Sequence, residues 1–199
     1  FFCGILYYEV NQIQHGKGSF PKSIRSMQIA KKTVILDTDI GTDIDDSWAL
    51  ALLLRSPGLD LKLVTVVTGD VHYRAAMVRR LLYAVGRNDI TVAVGLSTGT
   101  YSSLLELERP AAPAEGYPDA VTAMVEVIHT SREPVTLVAI APFTNLAAFL
   151  KAAPELAAKV DLIAMAGSIE QGLTTGSEPI AEWNVKCDIP SAQAVFAAS

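Results

Sequence analysis

The sequence predicts an α/β protein built on a mostly parallel, doubly wound sheet with helices on both faces. Three observations point there. From Lys31 onward, short β-branched runs alternate with longer stretches of helical character. The short runs are continuously apolar, as strands covered on both faces are. Acidic and small polar residues gather directly after the runs, at the strand ends where such sheets bind ligands.

Thr33 to Leu36 is the first strand, an apolar run ending in acids. Ser47 to Arg55 (SWALALLLR) reads as a helix stopped by Pro57-Gly58. Leu61 to Val67 is the second strand, closed by Thr68-Gly69-Asp70. Tyr73 to Val85 is a helix with Gly86 placed at its C-terminal cap. Thr91 to Val94 is the third strand. Gly95 to Asp119, with its prolines, glycines and small residues, reads as a long loop of the functional kind. Ala120 to His129 is helical, Val135 to Ala139 the fourth strand, Asn145 to Ala152 a helix and Val160 to Ala164 the fifth strand. A polar stretch, Gly167 to Pro179, precedes a last helix from Ser191.

The 199 residues suffice for one domain, and with half of them hydrophobic and 19% charged the composition is globular. A formal charge of -5, with scattered basic residues, argues against a nucleic-acid partner, which calls for clustered Lys and Arg. No apolar run approaches the roughly 20 residues that span a bilayer. Cys3 and Cys187 are far apart and neither lies in a CxxC pair, which argues against a disulfide framework and structural zinc and makes a reducing, cytoplasmic setting the default. Residues 1–30 lack periodicity and read as a disordered or non-native leader, with Met27 as the expected natural start. The tail of a signal peptide is the alternative for Phe1 to Tyr8. Residues 31–199 read as one domain, expected to be incomplete because its last helix is still running at Ala197-Ala198-Ser199.

The segment VILDTDIGTDIDDSWAL sets Asp37, Asp39, Asp43, Asp45 and Asp46 within ten residues. Carboxylates so crowded repel one another unless a cation sits among them, and a hard divalent ion with oxygen ligands is the natural one. Asp45 and Asp46 also open a helix, where the dipole favours negative charge. Asp43 reads as a surface acid. An EF-hand loop counted from Asp37 needs Gly and Glu where Thr42 and Trp48 stand, so that reading fails. A haloacid-dehalogenase-like phosphatase also opens with a strand and D-x-D, which would make Asp37 a nucleophile. That family needs a later lysine at a strand end, and none is suitably placed.

The string Asp37-Thr38-Asp39-Ile40-Gly41, followed by Asp45-Asp46-Ser47-Trp48-Ala49-Leu50, resembles the signature of the inosine–uridine nucleoside hydrolase family, with two extra residues between the glycine and the acidic pair. The segment from Thr136 to Ala147 (TLVAIAPFTNLA) resembles that family's TLVxTGPLTNLA element. Met165-Ala166-Gly167-Ser168 and Ala181-Glu182-Trp183-Asn184 resemble its MGG and AEFN elements. The resemblance runs from Lys31 to Ser199 and implies the N-terminal two-thirds of such a fold.

It implies hydrolysis of the N-glycosidic bond of ribonucleosides, giving ribose and free base, by water activated at calcium in nucleoside catabolism. Asp39, Asp46 and the Ile140 carbonyl would hold the ion, and Asp39 would be the base. Asp45, Glu182 and Asn184 would bind the ribose hydroxyls, with Met165 lining the pocket and Asp70 a further sugar or metal neighbour. Asp70 stands where many members have Asn, and Gly176 where a further Asn is expected. Members continue past this point and supply a last Asp ligand distally, often beside a His. Of the histidines here, His15 is in the leader, His129 ends a helix and His72 follows Asp70, so the general acid stays unplaced. A homo-oligomer is expected for the full-length protein, and a non-catalytic ribose- or nucleoside-binding remnant is the remaining alternative.

Overall fold

The computed structural model describes residues 31–98, 116–172 and 174–198. The expected leader at 1–30 and most of the expected long loop lie outside the described residues. The described chain forms β1 (Lys32–Thr38), α1 (Asp45–Arg55), β2 (Leu59–Val66), α2 (Val71–Ala84), β3 (Thr91–Val94), α3 (Ala120–Thr130), β4 (Val135–Ala139), α4 (Thr144–Ala152), β5 (Val160–Ala164), α5 (Trp183–Cys187) and α6 (Ile189–Ala197). A 3-10 turn, Pro154–Lys159, joins α4 to β5.

The five strands lie in the order β3-β2-β1-β4-β5, and every pairing is parallel. The chain winds outward through β2 and β3, then crosses to the other side of β1 for β4 and β5. The winding direction therefore reverses between β1 and β4, and a ligand crevice belongs at the carboxyl ends of those two strands.

Two apolar layers cover the sheet. Val34, Leu36, Val64 and Val66 pack with α1 and α2 through Leu50, Leu53, Val78 and Leu82. Ile35, Leu63, Leu137 and Ala139 pack with α3, α4 and α6 through Met124, Phe149 and Val195. A register shift opposite Val34 and Ile35 leaves Lys62 unpaired, so a lysine is tolerated between Leu61 and Leu63. Lys62 is exposed and pairs with Asp60 at 2.8 Å.

Two elements differ from the reading of the sequence. β5 was expected to be covered on both faces, but Leu162 and Ile163 are 42% and 47% exposed. It is the edge strand, and among the described residues no strand pairs with its outer side. The helix α5, five residues long, is too short for apolar periodicity to show.

Strand alternation sends the polar end of β1 in two directions. Asp37 follows Ile35 toward the α3/α4 layer and Thr38 follows Leu36 toward the α1/α2 layer. Asp37 is fully buried and its Oδ1 accepts from Thr65 Oγ1 at 2.5 Å and Asn145 Nδ2 at 2.8 Å. Thr65 is its register partner on β2. Asn145, on α4, also donates to the Val66 carbonyl at 3.3 Å and accepts from Leu96 N at 3.1 Å. One buried amide thus ties β1, β2, α4 and the segment after β3.

Gly95 makes that arrangement possible, because a Cβ built there would lie 2.0 Å from Asn145 Oδ1. Gly95→Ala is expected to push the Asn145 amide off Asp37 and lower stability by about 2–4 kcal/mol, from overpacking and orphaned buried groups together. Urea unfolding measures it, and an unchanged midpoint would show that Asn145 yields freely.

Candidate active site

Beyond Thr38 the chain turns and enters α1 with Asp45 and Asp46 in its first turn, where the helix dipole favours negative charge. Burial separates the acids of this loop. Asp37, Asp39 and Asp46 are 0%, 7% and 4% exposed, whereas Asp43 and Asp45 face solvent. The Thr38 hydroxyl donates to Asp46 Oδ1 and accepts from Ile40 N at 3.1 Å, which joins strand, turn and helix at one oxygen.

Desolvation dominates the electrostatics. Burial pushes Asp46 up to about 7, with the Thr38 hydrogen bond opposing it and the charges of Asp39 and Asp45 adding to it. Burial likewise raises Asp39 above the ordinary carboxylate range, against the pull of the Arg74 cation. Asp37 is pushed to about 7 by burial despite its bonds from Thr65 and Asn145.

Arg74, on α2, was not picked out from the sequence. It is 3% exposed, and its guanidinium donates to the carbonyls of Thr68 at 2.8 Å, Ile40 at 2.8 Å and Asp39, and to Thr42 Oγ1 at 3.0 Å. A signal existed, for Arg74 interrupts an apolar helical stripe at Val71, Val78 and Leu82. A cation on such a stripe needs a buried partner.

On the β4 side, Ile140 donates its N–H to the Asp37 carbonyl at 3.0 Å. Its own carbonyl accepts from Asn184 Nδ2 at 3.2 Å, and the same amide donates to the Met165 carbonyl at 2.9 Å. Asn184 is buried and links the segments after β4 and β5. Glu182 caps α5, accepting from the backbone N–H groups of Asn184, Val185 and Gly167 at 2.9–3.1 Å. Met165 is 45% exposed. Asp70 is exposed and caps α2 through Tyr73 N at 3.0 Å. Beside it, Thr68 has a φ of +69°, a strained left-handed conformation for a β-branched residue.

The structure therefore joins Asp46 to the end of β1 through Thr38 and joins Ile140 to Asn184, all around the β1/β4 reversal. Asp70 stands at the end of β2, apart from those bonds. Among the described residues no group of three or more His, Cys, Asp or Glu converges as a metal cluster. The donor chemistry of Asp39, Asp46 and the Ile140 carbonyl still fits a hard cation. Both carboxylates are buried with raised pKa values, so a divalent ion would supply the missing counter-charge. The phosphatase alternative does not survive, since Asp37 is wholly buried and bonded to Thr65 and Asn145 with no face open to a phosphate.

The chain is thus an α/β protein of the doubly wound class, with buried acids at the switch point where such sheets bind ligands. Residues 34–199 match the family model for inosine-uridine preferring nucleoside hydrolase, and the chain belongs to that family. A pyrimidine-specific ribonucleoside hydrolase, RihA, of Enterobacter sp. is 39% identical over 179 residues, covering 82% of this chain and 56% of that protein. A non-specific ribonucleoside hydrolase, RihC, of Salmonella paratyphi B is 37% identical over 182 residues with the same coverage. The chain thus spans a little over half the length of these curated relatives. A plant nucleoside hydrolase superposes with a TM-score of 0.71 at 28% identity, over 84% of this chain and 57% of its own. The effector protein XopQ, solved with adenosine diphosphate ribose, superposes with a TM-score of 0.69 at 26% identity, over 85% and 55%.

The raised carboxylates set a pH dependence. Between the ordinary value of 3.8 and about 7, Asp37 and Asp46 hold protons in the folded chain that the unfolded chain releases. Stability in chelator should therefore fall as pH rises through that window, by on the order of 1 kcal/mol per pH unit for each group. Asp46→Asn should flatten the slope. Urea midpoints from pH 4.5 to 7.5 test this, and a midpoint rising with pH would contradict the burial of these acids.

Proposed function

We propose that the protein to which this chain belongs hydrolyses the N-glycosidic bond of ribonucleosides, with Asp39 as the base and calcium as cofactor. The observation that carries the reading is the burial of Asp39 and Asp46 after β1, at the strand end where the winding reverses toward β4. Family membership and the named activities of RihA and RihC support it, as does a structural neighbour solved with a ribose-containing ligand.

Asp39, Asp46 and the Ile140 carbonyl would hold the ion. When bound, a divalent cation lowers the pKa of water and so eases its deprotonation. Asp39 takes the proton from water, whose oxygen forms the new bond to the anomeric carbon. The carbon–nitrogen bond breaks, its electron pair leaves with the base, and the base takes up a proton. Asp45, Glu182 and Asn184 accept hydrogen bonds from the ribose hydroxyls, and those bonds tighten as the ring flattens toward an oxocarbenium ion. Met165 lines the apolar side, and Asp70 borders the sugar. The reading extends to a cytoplasmic enzyme, the setting that its cysteine usage makes the default, assembled from copies of one chain.

Asp39→Asn is expected to lower kcat/KM for uridine and inosine by roughly 10²–10⁴-fold, the range that general-base catalysis supplies, with the fold retained. Reducing-sugar release from the full-length protein reads the activity and circular dichroism the fold. Near-normal turnover in the variant would move the base elsewhere. Saturable ribose binding by the unmutated protein without turnover would favour a binding remnant instead.

A further inference from the structure

The cation nearest the acidic loop forms no direct ion pair among the described residues, where those present are Lys62 with Asp60 and Arg87 with Asp89. Arg74 instead spends its donors on the Asp39, Ile40 and Thr68 carbonyls and the Thr42 hydroxyl. Thr42 also donates to the Asp39 carbonyl at 3.3 Å, which closes the turn on itself. Gly41, at a φ of +99°, presses this turn onto α2, where a Cβ would lie 3.1 Å from Met77 Cε.

We propose that Arg74 is a positioning residue of the acidic site, fixing the 39–42 turn and the strained Thr68 so that the Asp39 carboxylate stands ready for its ligand. The inference rests on the hydrolase reading of that site. Two turns that follow different strands have no hydrogen-bonded ladder between them, and one planar side chain spans both. A guanidinium suits the task because its N–H groups diverge in a rigid fork, whereas an ammonium is a compact point charge on a flexible stem. By bonding to carbonyls rather than to carboxylates, Arg74 contributes charge through space and does not itself occupy the oxygens of the Asp39 or Asp46 carboxylates. Asp39, Asp46 and Asp70 in return offset the cost of burying it.

The test compares the full-length protein with its Arg74→Met and Arg74→Lys variants and a core control, Phe149→Leu, on the opposite layer. Amide exchange across residues 39–42 in chelator reads the turn without metal, and calorimetric titration with calcium chloride reads the site. Arg74→Met should speed exchange in the turn at least tenfold and weaken calcium binding at least tenfold. Arg74→Lys should recover less than half of either loss on a logarithmic scale. Phe149→Leu should lower the urea midpoint yet leave calcium affinity within twofold.

Unchanged exchange in Arg74→Met overturns the inference, as does full recovery by lysine or an equal calcium loss in the core control. A wild-type chain that ignores calcium, while Arg74→Met still frees the turn, overturns the calcium reading and leaves the positioning role standing.

Discussion

The architecture of this end of the molecule depends on keeping three carboxylates out of water at the end of a central strand. β1 is flanked on both sides by parallel strands, so its last residues have nowhere exposed to go. Removing a carboxylate from water is expensive, and the effective penalty remains several kcal/mol after the protein relaxes. Thr65, Asn145 and Thr38 return part of that through hydrogen bonds, and Arg74 returns part through its charge. The return is incomplete, since Asp37, Asp39 and Asp46 all keep raised pKa values. A frame stable enough to hold unbalanced acids leaves them avid for a cation or a proton.

The period-two geometry of a strand gives the three residues Asp37-Thr38-Asp39 three different tasks. Asp37 faces the α3/α4 layer and holds strands and helix together through Asn145. Thr38 faces the opposite layer and sets Asp46 at the start of α1. Asp39, just past the strand, has its backbone carbonyl held by Arg74 and Thr42, and among the described residues no side chain donates to its carboxylate. A structural acid and the proposed base can therefore sit two residues apart in different surroundings.

The strands were legible because each is an apolar run bounded by turn residues, and all five were found within a few residues of their ends. The exposure of β5 was not, for edge and central strands share a composition and differ only in what lies beside them. Asp43 was legible as a surface acid and is exposed, but the sequence did not separate exposed Asp45 from buried Asp37, Asp39 and Asp46, because that division depends on how the turn after β1 lays α1 against the sheet. Arg74 was visible as a cation on an apolar stripe, and its acceptors, which come from two separate turns, were not. Asn184 was read as a sugar ligand from its motif. What the motif did not reveal is that Asn184 builds the loop, bridging the Ile140 and Met165 carbonyls.

That bridging limits what Asn184 can offer a ligand. Both amide hydrogens of Asn184 are spent on carbonyls, so only its oxygen is left to meet a ligand. Glu182 accepts three backbone N–H groups, and a carboxylate has no hydrogen to give. Asp39, Asp45 and Asp46 are acceptors as well when ionised. A lining made of acceptors pairs with groups that donate, and a sugar's hydroxyls each carry one hydrogen to give. A phosphate ester carries acceptor oxygens and negative charge, and brought against the same acids it meets repulsion instead of hydrogen bonds. The hydrogen-bond polarity of these residues, which the family resemblance assigns to the lining, suits the ribose hydroxyls of the proposed substrate.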